Sequence, residues 1–231
     1  MKIYIDRQKV NARAAAANAA SVGGLLLLLA SVLAPLFWQQ LASFALVLLL
    51  LGGITAMVGI YLANRWVRRP RPEDSLDKAL KSLDDGFRLY HYPSLPCEHI
   101  LLSPSGIVAL EVVNLPGSFS YRQGRWKEAM TMGRALRYMV EPRVEDPVTL
   151  ALGLKEELRR WFQGRLASGA AVPMNVMTVF SHPAVDLEIS DPSVPAYALA
   201  KLRKHVVPQG ARLAPGLYEE LSACLEQATV S

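Results

Sequence analysis

Hydrophobic positions are distributed very unevenly along these 231 residues. Between Arg13 and Arg65 there is no Asp, Glu, Lys, Arg or His, a run of 51 residues. No water-soluble domain of ordinary composition carries such a run, so a fully soluble chain is excluded. As one helix it would extend about 76 Å, more than twice the ~30 Å hydrocarbon core, so it is predicted to cross a bilayer twice. The natural break is Gln39-Gln40. It separates a first span at about 21–38, containing the leucine run 25–29, from a second at about 41–62, containing the leucine run 48–51. Trp38, Tyr61 and Trp66 fall where interfacial rings are expected, which closes the hairpin at 66. Pro35 stands near the end of the first span, where few carbonyls beyond it need partners.

Beyond a charged, proline-broken linker at 67–75, the pattern changes to that of one α/β domain over 76–231. Ser75 is placed to cap a helix carrying Leu76, Leu80 and Leu83, which ends before Gly86. Strands are predicted at 87–92 and 98–102, followed by a tight turn at 103–106 into a third strand at 107–113. Asp146 caps a helix with Pro147 at its first position and a stripe of Leu150, Leu154, Leu158 and Trp161. A strand at 174–180 and amphipathic helices at 197–206 and 216–229 complete the series, while 127–140 shows no assignable pattern.

Charge sharpens this division. Residues 1–75 hold eight basic and three acidic side chains, whereas 76–231 are formally neutral, so the net charge of +5 belongs to the membrane boundary. The basic residues of the N-terminal segment 1–20 and those after the second span flank the hairpin on both sides. The positive-inside bias therefore places both ends in the cytoplasm of an inner-membrane protein whose first partner is the lipid bilayer. Arg65, Arg68, Arg69 and Arg71 are expected to attract anionic headgroups at roughly 1 kcal/mol per charge. A signal peptide is the rival reading, with small residues ending at Ala34, but Pro35 argues against cleavage there, and the 76–231 domain would remain cytoplasmic either way. The neutral domain gives no charge-based support for nucleic-acid binding. Cys97 and Cys224 have no motif spacing and suit a reducing compartment.

One position in the 107–113 strand stands out. Ile107, Ala109, Glu111 and Val113 project to one side and Val108, Leu110 and Val112 to the other, so the strand is apolar on both faces except at Glu111. A carboxylate buried there costs several kcal/mol unless paired, hydrogen-bonded or bound to metal. The structural alternative is that Glu111 lies near the strand's end and meets water or an arginine. His182 after Ser181 ends a strand without a nucleophile motif, and Ser181 reads as a turn cap. His91 and His205 have no partner pattern, and the pairs Arg159-Arg160 and Arg203-Lys204 read as solvated helix faces.

The run CEHILLSPSGIVALEVVNLPGSFSYRQGRW resembles the core of the nuclease-related domain, NERD, a branch of the PD-(D/E)XK restriction-endonuclease-like superfamily. The matching positions are Glu98, His99, Pro104, Gly106, Glu111, Asn114, Gly117 and Trp126, and the likeness extends over about 76–202. It implies a restriction-endonuclease-like mixed sheet flanked by helices. It also implies a site where the acidic residue opening one strand and the Glu on the next hold Mg²⁺, which polarises a phosphodiester and activates water. Glu98 and Glu111 occupy those positions. The Asp usual at the first is here Glu98, and the Lys two residues after the second carboxylate is Val113. The later Asn-Pro-x-x-Gln appears as Asp146-Pro147-Val148-Thr149-Leu150, so Leu150 stands for the site-facing Gln. Lys127 and Lys155 are poorly placed to replace the missing cation, and Glu73 and Asp77 fit the family's helical acidic position poorly. His99, next to Glu98 but on the opposite side of a strand, is expected to be a hydrogen-bonded structural residue.

Losing two polar groups to aliphatic ones points to a pocket converted into core. The expectation is a membrane-anchored, catalytically inactive binding or scaffolding module, with another membrane protein as a further partner and no cofactor. A metal-dependent nuclease using Glu98 and Glu111 with a displaced base is the alternative. A purely structural partner domain for another membrane protein, with the spans as interface, is the third.

Overall fold

A computed structural model describes residues 1–130, 134, 143–167, 169–207 and 211–230. The chain forms two compact units, one comprising Arg7–Arg71, the other Met1–Asp6 with the described residues of 72–130 and 143–230. Most of the stretch without an assignable pattern, 131–140 apart from Arg134, lies outside the described residues.

The first unit is a helical hairpin. Helix α1, Arg7–Phe37, runs 31 residues, a 3₁₀ turn follows at Gln39–Phe44, and α2 spans Ala45–Trp66. Both helices are long and apolar enough to cross a membrane. The pattern at 14–20, six alanines and one asparagine, has the highest intrinsic helix propensity available, which is why α1 reaches back well before 21. The bend is the six-residue 3₁₀ turn rather than the Gln39-Gln40 pair alone, and the second helix is shifted accordingly to begin at Ala45 and continue through Trp66.

Within the hairpin the usual arrangement of a soluble protein is inverted. Leucines such as Leu26, Leu36, Leu46 and Leu50 are exposed, while the buried positions recur every seven residues: Val10, Ala17, Gly24 and Ser31 on α1, Gly52, Gly59 and Trp66 on α2. A seven-residue repeat keeps one seam of each helix facing the other, and small residues along it let the backbones approach closely. The approach leaves no room for side chains: a Cβ on Gly24 would lie 2.4 Å from the Ala56 nitrogen, and one on Gly59 would lie 2.5 Å from the Ser21 nitrogen. Ser21 and Ser31 donate to the carbonyls of Ala17 and Leu28, so the seam carries their hydroxyls satisfied. The buried Trp66 indole lies under the Arg13 guanidinium, 4.5 Å from the ring centroid.

The second unit is a mixed α/β domain. Its principal sheet has six strands: β1 (Lys2–Ile5), β2 (Arg88–His91), β3 (His99–Ser103), β4 (Gly106–Val113), β7 (Met174–Phe180) and β9 (Ala196–Ala198), in that spatial order. β2, β3 and β4 are antiparallel neighbours, whereas β1 on β2, β7 on β4 and β9 on β7 are parallel. A smaller sheet sets β5 (Gly117–Arg122) between β6 (Arg125–Glu128) and β8 (Val185–Ile189). The helices are α3 (Pro72–Leu80), α4 (Pro147–Phe162), α5 (Leu199–Val206) and α6 (Pro215–Val230).

Alternation along the strands sorts the core into two layers. Ile100, Leu102, Ile107 and Ala109 pack with Leu158 and Phe162 of α4 and with Leu221 and Leu225 of α6. Leu89, Leu101, Val108 and Leu110 pack with Leu76 and Leu80 of α3 and with Leu202 and Val206 of α5. Helices on both faces explain why β3 is buried throughout and why β4 is apolar on both sides. Asp146 caps α4 as the sequence predicts, its carboxylate accepting from the Val148 amide at 2.9 Å. Two details differ. α3 begins at Pro72, a residue favoured at the first helical position, so Ser75 lies inside the helix rather than at its cap. The first residues form β1, not a simple basic tail, because Ile3 and Ile5 alternate with Lys2 and Tyr4 alongside β2.

The hairpin seam yields a selective expectation. Gly24→Leu or Gly59→Leu lowers the stability of the full chain in detergent by about 1–3 kcal/mol, the usual cost of overpacking. Gly23→Leu and Gly53→Leu, where a Cβ meets nothing within 4 Å, leave it unchanged. Thermal unfolding of the four variants compares them directly.

Candidate functional site

The β3–β4 hairpin sets the geometry of the candidate carboxylates. Ile100 pairs with Ala109 at the end of the ladder, Glu98 lies just before β3 and Glu111 two residues further along β4, and both acids lie close enough to Cys97 to act on its thiol. Glu111 is half-buried rather than fully enclosed, because β4 emerges from between its covering helices over its last three residues, and Glu98 is half-buried as well. Cys97 lies beside them and is buried. Burial raises its thiol pKa, and the nearby carboxylates of Glu111 and Glu98 push it further in the same direction. Burial and the two acids thus keep the Cys97 thiol protonated.

Val113 belongs to different surroundings. It packs against a third apolar cluster built on Phe119, Phe180, Val194 and Ala196, to which Trp126 also contributes. Phe119 stacks on Trp126 with ring centroids 5.7 Å apart, and Phe180 lies 4.8 Å from Phe119. The position two residues beyond Glu111 is therefore part of an aromatic and aliphatic core joining the two sheets. Across from Glu111, β7 presents Thr178, whose buried hydroxyl has no hydrogen-bond partner among the described residues. On α4 the apolar face runs through Ala151, Leu154, Leu158 and Phe162, with Trp161 packed beside it, and Leu150 is half-buried. Lys127 is exposed on β6. Among the described residues, no three His, Cys, Asp or Glu side chains converge where a metal ion could be held.

On the other face lies a polar network that sequence reading passed over. His91 and His99 face each other across β2 and β3, and both are fully buried. Their Nδ1 atoms are 2.8 Å apart, while His91 Nε2 lies 2.9 Å from Asp77 Oδ1 on α3. Donation from His91 Nε2–H to the carboxylate and from His99 Nδ1–H to His91 Nδ1 satisfies both contacts. Four residues before Asp77, the buried Glu73 accepts from the Tyr92 hydroxyl at 2.6 Å. The i, i+4 spacing of Glu73 and Asp77 puts both acids on one face of α3, so two side-chain hydrogen bonds fasten that helix to the sheet. His99 is thus hydrogen-bonded, as expected, and His91 has partners that no local motif announced. The available signal was the pair of histidines flanking the turn at 92–98 together with the two spaced acids.

The remaining candidates fall elsewhere. Ser181 continues the ladder through its amide to the Val113 carbonyl at 3.0 Å, but its buried hydroxyl has no hydrogen-bond partner among the described residues, so it caps no turn there. The cap there is His182, whose Nδ1 accepts from the Ala184 amide at 3.1 Å. His205 stacks on Tyr197 with centroids 3.9 Å apart. No family model, curated protein or solved structure matches the chain.

The Cys97 environment predicts a pH dependence. A folded-state thiol pKa above the unfolded value leaves stability intact below about pH 8.5, the ordinary thiol value, and lowers it as pH rises further, by up to about 1.4 kcal/mol per unit. Urea unfolding of the full chain between pH 7 and 10 shows that decline, and Cys97→Ala removes this component of it. An unchanged slope in the variant would show that the thiol does not ionise on unfolding.

Proposed function

We propose that the chain is a membrane-anchored, nuclease-related module of restriction-endonuclease-like fold that binds or scaffolds and does not hydrolyse phosphodiesters. The observation that carries this reading is the packing of Val113 into the cluster of Phe119, Phe180 and Val194. A lysine serving a hydrolytic site from that position would have to project its ammonium toward the scissile phosphate. This side chain instead completes a core. Leu150 likewise offers no hydrogen bond where the family resemblance expects an amide.

The alternative, a Mg²⁺-dependent nuclease, is favoured by one feature, the nearness of both Glu98 and Glu111 to the buried Cys97. Mg²⁺ commonly takes one or two carboxylates together with water and substrate phosphate, so the two acids suffice as protein ligands. Bound there, the ion would supply Lewis-acid polarisation of a phosphodiester. What the residues do not supply at the expected position is the cation beside it.

Anchoring follows from the hairpin. The segments before and after it, β1 and β2, are strands of one sheet, which supports two crossings with both ends on the same side. The basic residues flanking the spans support the cytoplasm as that side. The bilayer and another membrane protein are the partners this arrangement suits.

Purified full chain in detergent, incubated at high concentration with supercoiled plasmid and Mg²⁺ or Mn²⁺, is expected to give no nicking above the buffer control. Nicking that EDTA or Glu111→Gln abolishes would overturn the proposal in favour of the nuclease.

A further inference from the structure

At the opposite end of β4 from Glu111, a cavity of about 570 Å³ opens where the turn into β4 meets the start of β7 and the C-terminal end of α5. Its size falls in the range of small-molecule sites. Gly106 forms part of its wall and has a φ of +141°; a Cβ there would come within 2.4 Å of the Pro173 carbonyl oxygen, so only glycine fits this approach. Five residues of strand separate Gly106 from Glu111, about 16 Å, so the cavity is distinct from the carboxylate pair.

The composition of the wall is one-sided. Lys155 reaches it from α4 and Lys204 from α5, with His205, Asn175 and Ser105 adding polar groups and no Asp or Glu among the lining residues. Neither lysine is ion-paired, and the Asn175 amide is not hydrogen-bonded, among the described residues. Lys155 is followed on α4 by the carboxylates of Glu156 and Glu157, yet Glu156 pairs with Arg159 instead. Ile107, Met174 and Val206 supply an apolar floor, and Tyr197 with its stacked His205 makes an aromatic wall. Two like charges brought to one concavity without a counter-charge repel, and an anion between them removes that repulsion.

We propose that this cavity binds a phosphate monoester carrying an apolar or ring-bearing portion, with the lysines on the phosphate and the rest against the apolar floor. The ligand source is either a soluble compound of mononucleotide size or the headgroup of an anionic lipid. The inference does not depend on whether the carboxylate pair is catalytic.

The test uses the full chain in neutral detergent, titrated calorimetrically with AMP, and the chain in vesicles of neutral lipid with and without phosphatidic acid, followed by thermal unfolding. Saturable binding of AMP, or stabilisation only with phosphatidic acid, supports the proposal and identifies the source. In either case Lys155→Ala/Lys204→Ala weakens the effect at least tenfold, while Lys201→Ala, on α5 but outside the lining, leaves it unchanged. Absence of both effects up to millimolar ligand, or equal weakening by Lys201→Ala, overturns it.

Discussion

Backbone pairing of Lys2–Ile5 with Arg88–His91 joins two points of the chain that are separated by both membrane-length helices. Parallel strands cannot be linked by a tight turn, and here the crossover is the hairpin itself. That constraint organises the rest: the chain leaves the sheet, travels 65 residues through Arg7–Arg71, and must return to the same sheet. That the two long apolar helices leave from and return to one sheet is then a consequence of hydrogen bonding, independent of where arginines and lysines happen to lie.

Within the sheet, burial on both faces decides where chemistry can occur. β3 and the first half of β4 are sealed by helices, so polar groups there must be internally satisfied, as in the chain from Asp77 through His91 to His99. Only toward the end of β4 does solvent reach a titratable residue, Glu111. Two residues further on, the strand enters a second apolar cluster with Val113. A half-open strand end thus holds Glu111 beyond the sealed part of β4, and Val113 beyond it belongs to the packing.

Much of this was legible in the sequence, because long uniform patterns carry strong signals. Fifty-one uncharged residues announced two apolar helices, and the apolar runs announced β4 and β7, the latter over 174–180 as found. The Asp146-Pro147 start of α4 was also plain. Short elements were not legible. β1, β6 and β9 have four, four and three residues, too few for periodicity to separate strand from loop, and β1 and β9 are defined by partners remote in sequence. The nearness of Glu98 and Glu111 could be read from two adjacent strands of a hairpin, whereas the Asp77–His91–His99 network required knowing that α3 lies over β2 and β3. The convergence of Lys155 and Lys204 required the tertiary fold, since 49 positions separate them in sequence.

The strand pairing is tested most directly by sidedness. In a cysteine-free background, single cysteines placed at Lys9, Gln40 and the exposed Glu219 are probed in intact cells with a membrane-impermeant maleimide. The account predicts labelling at position 40 alone, with positions 9 and 219 labelled only after the membrane is opened. Labelling of one of positions 9 and 219 with protection of the other would place β1 and β2 on opposite sides of the membrane and contradict it.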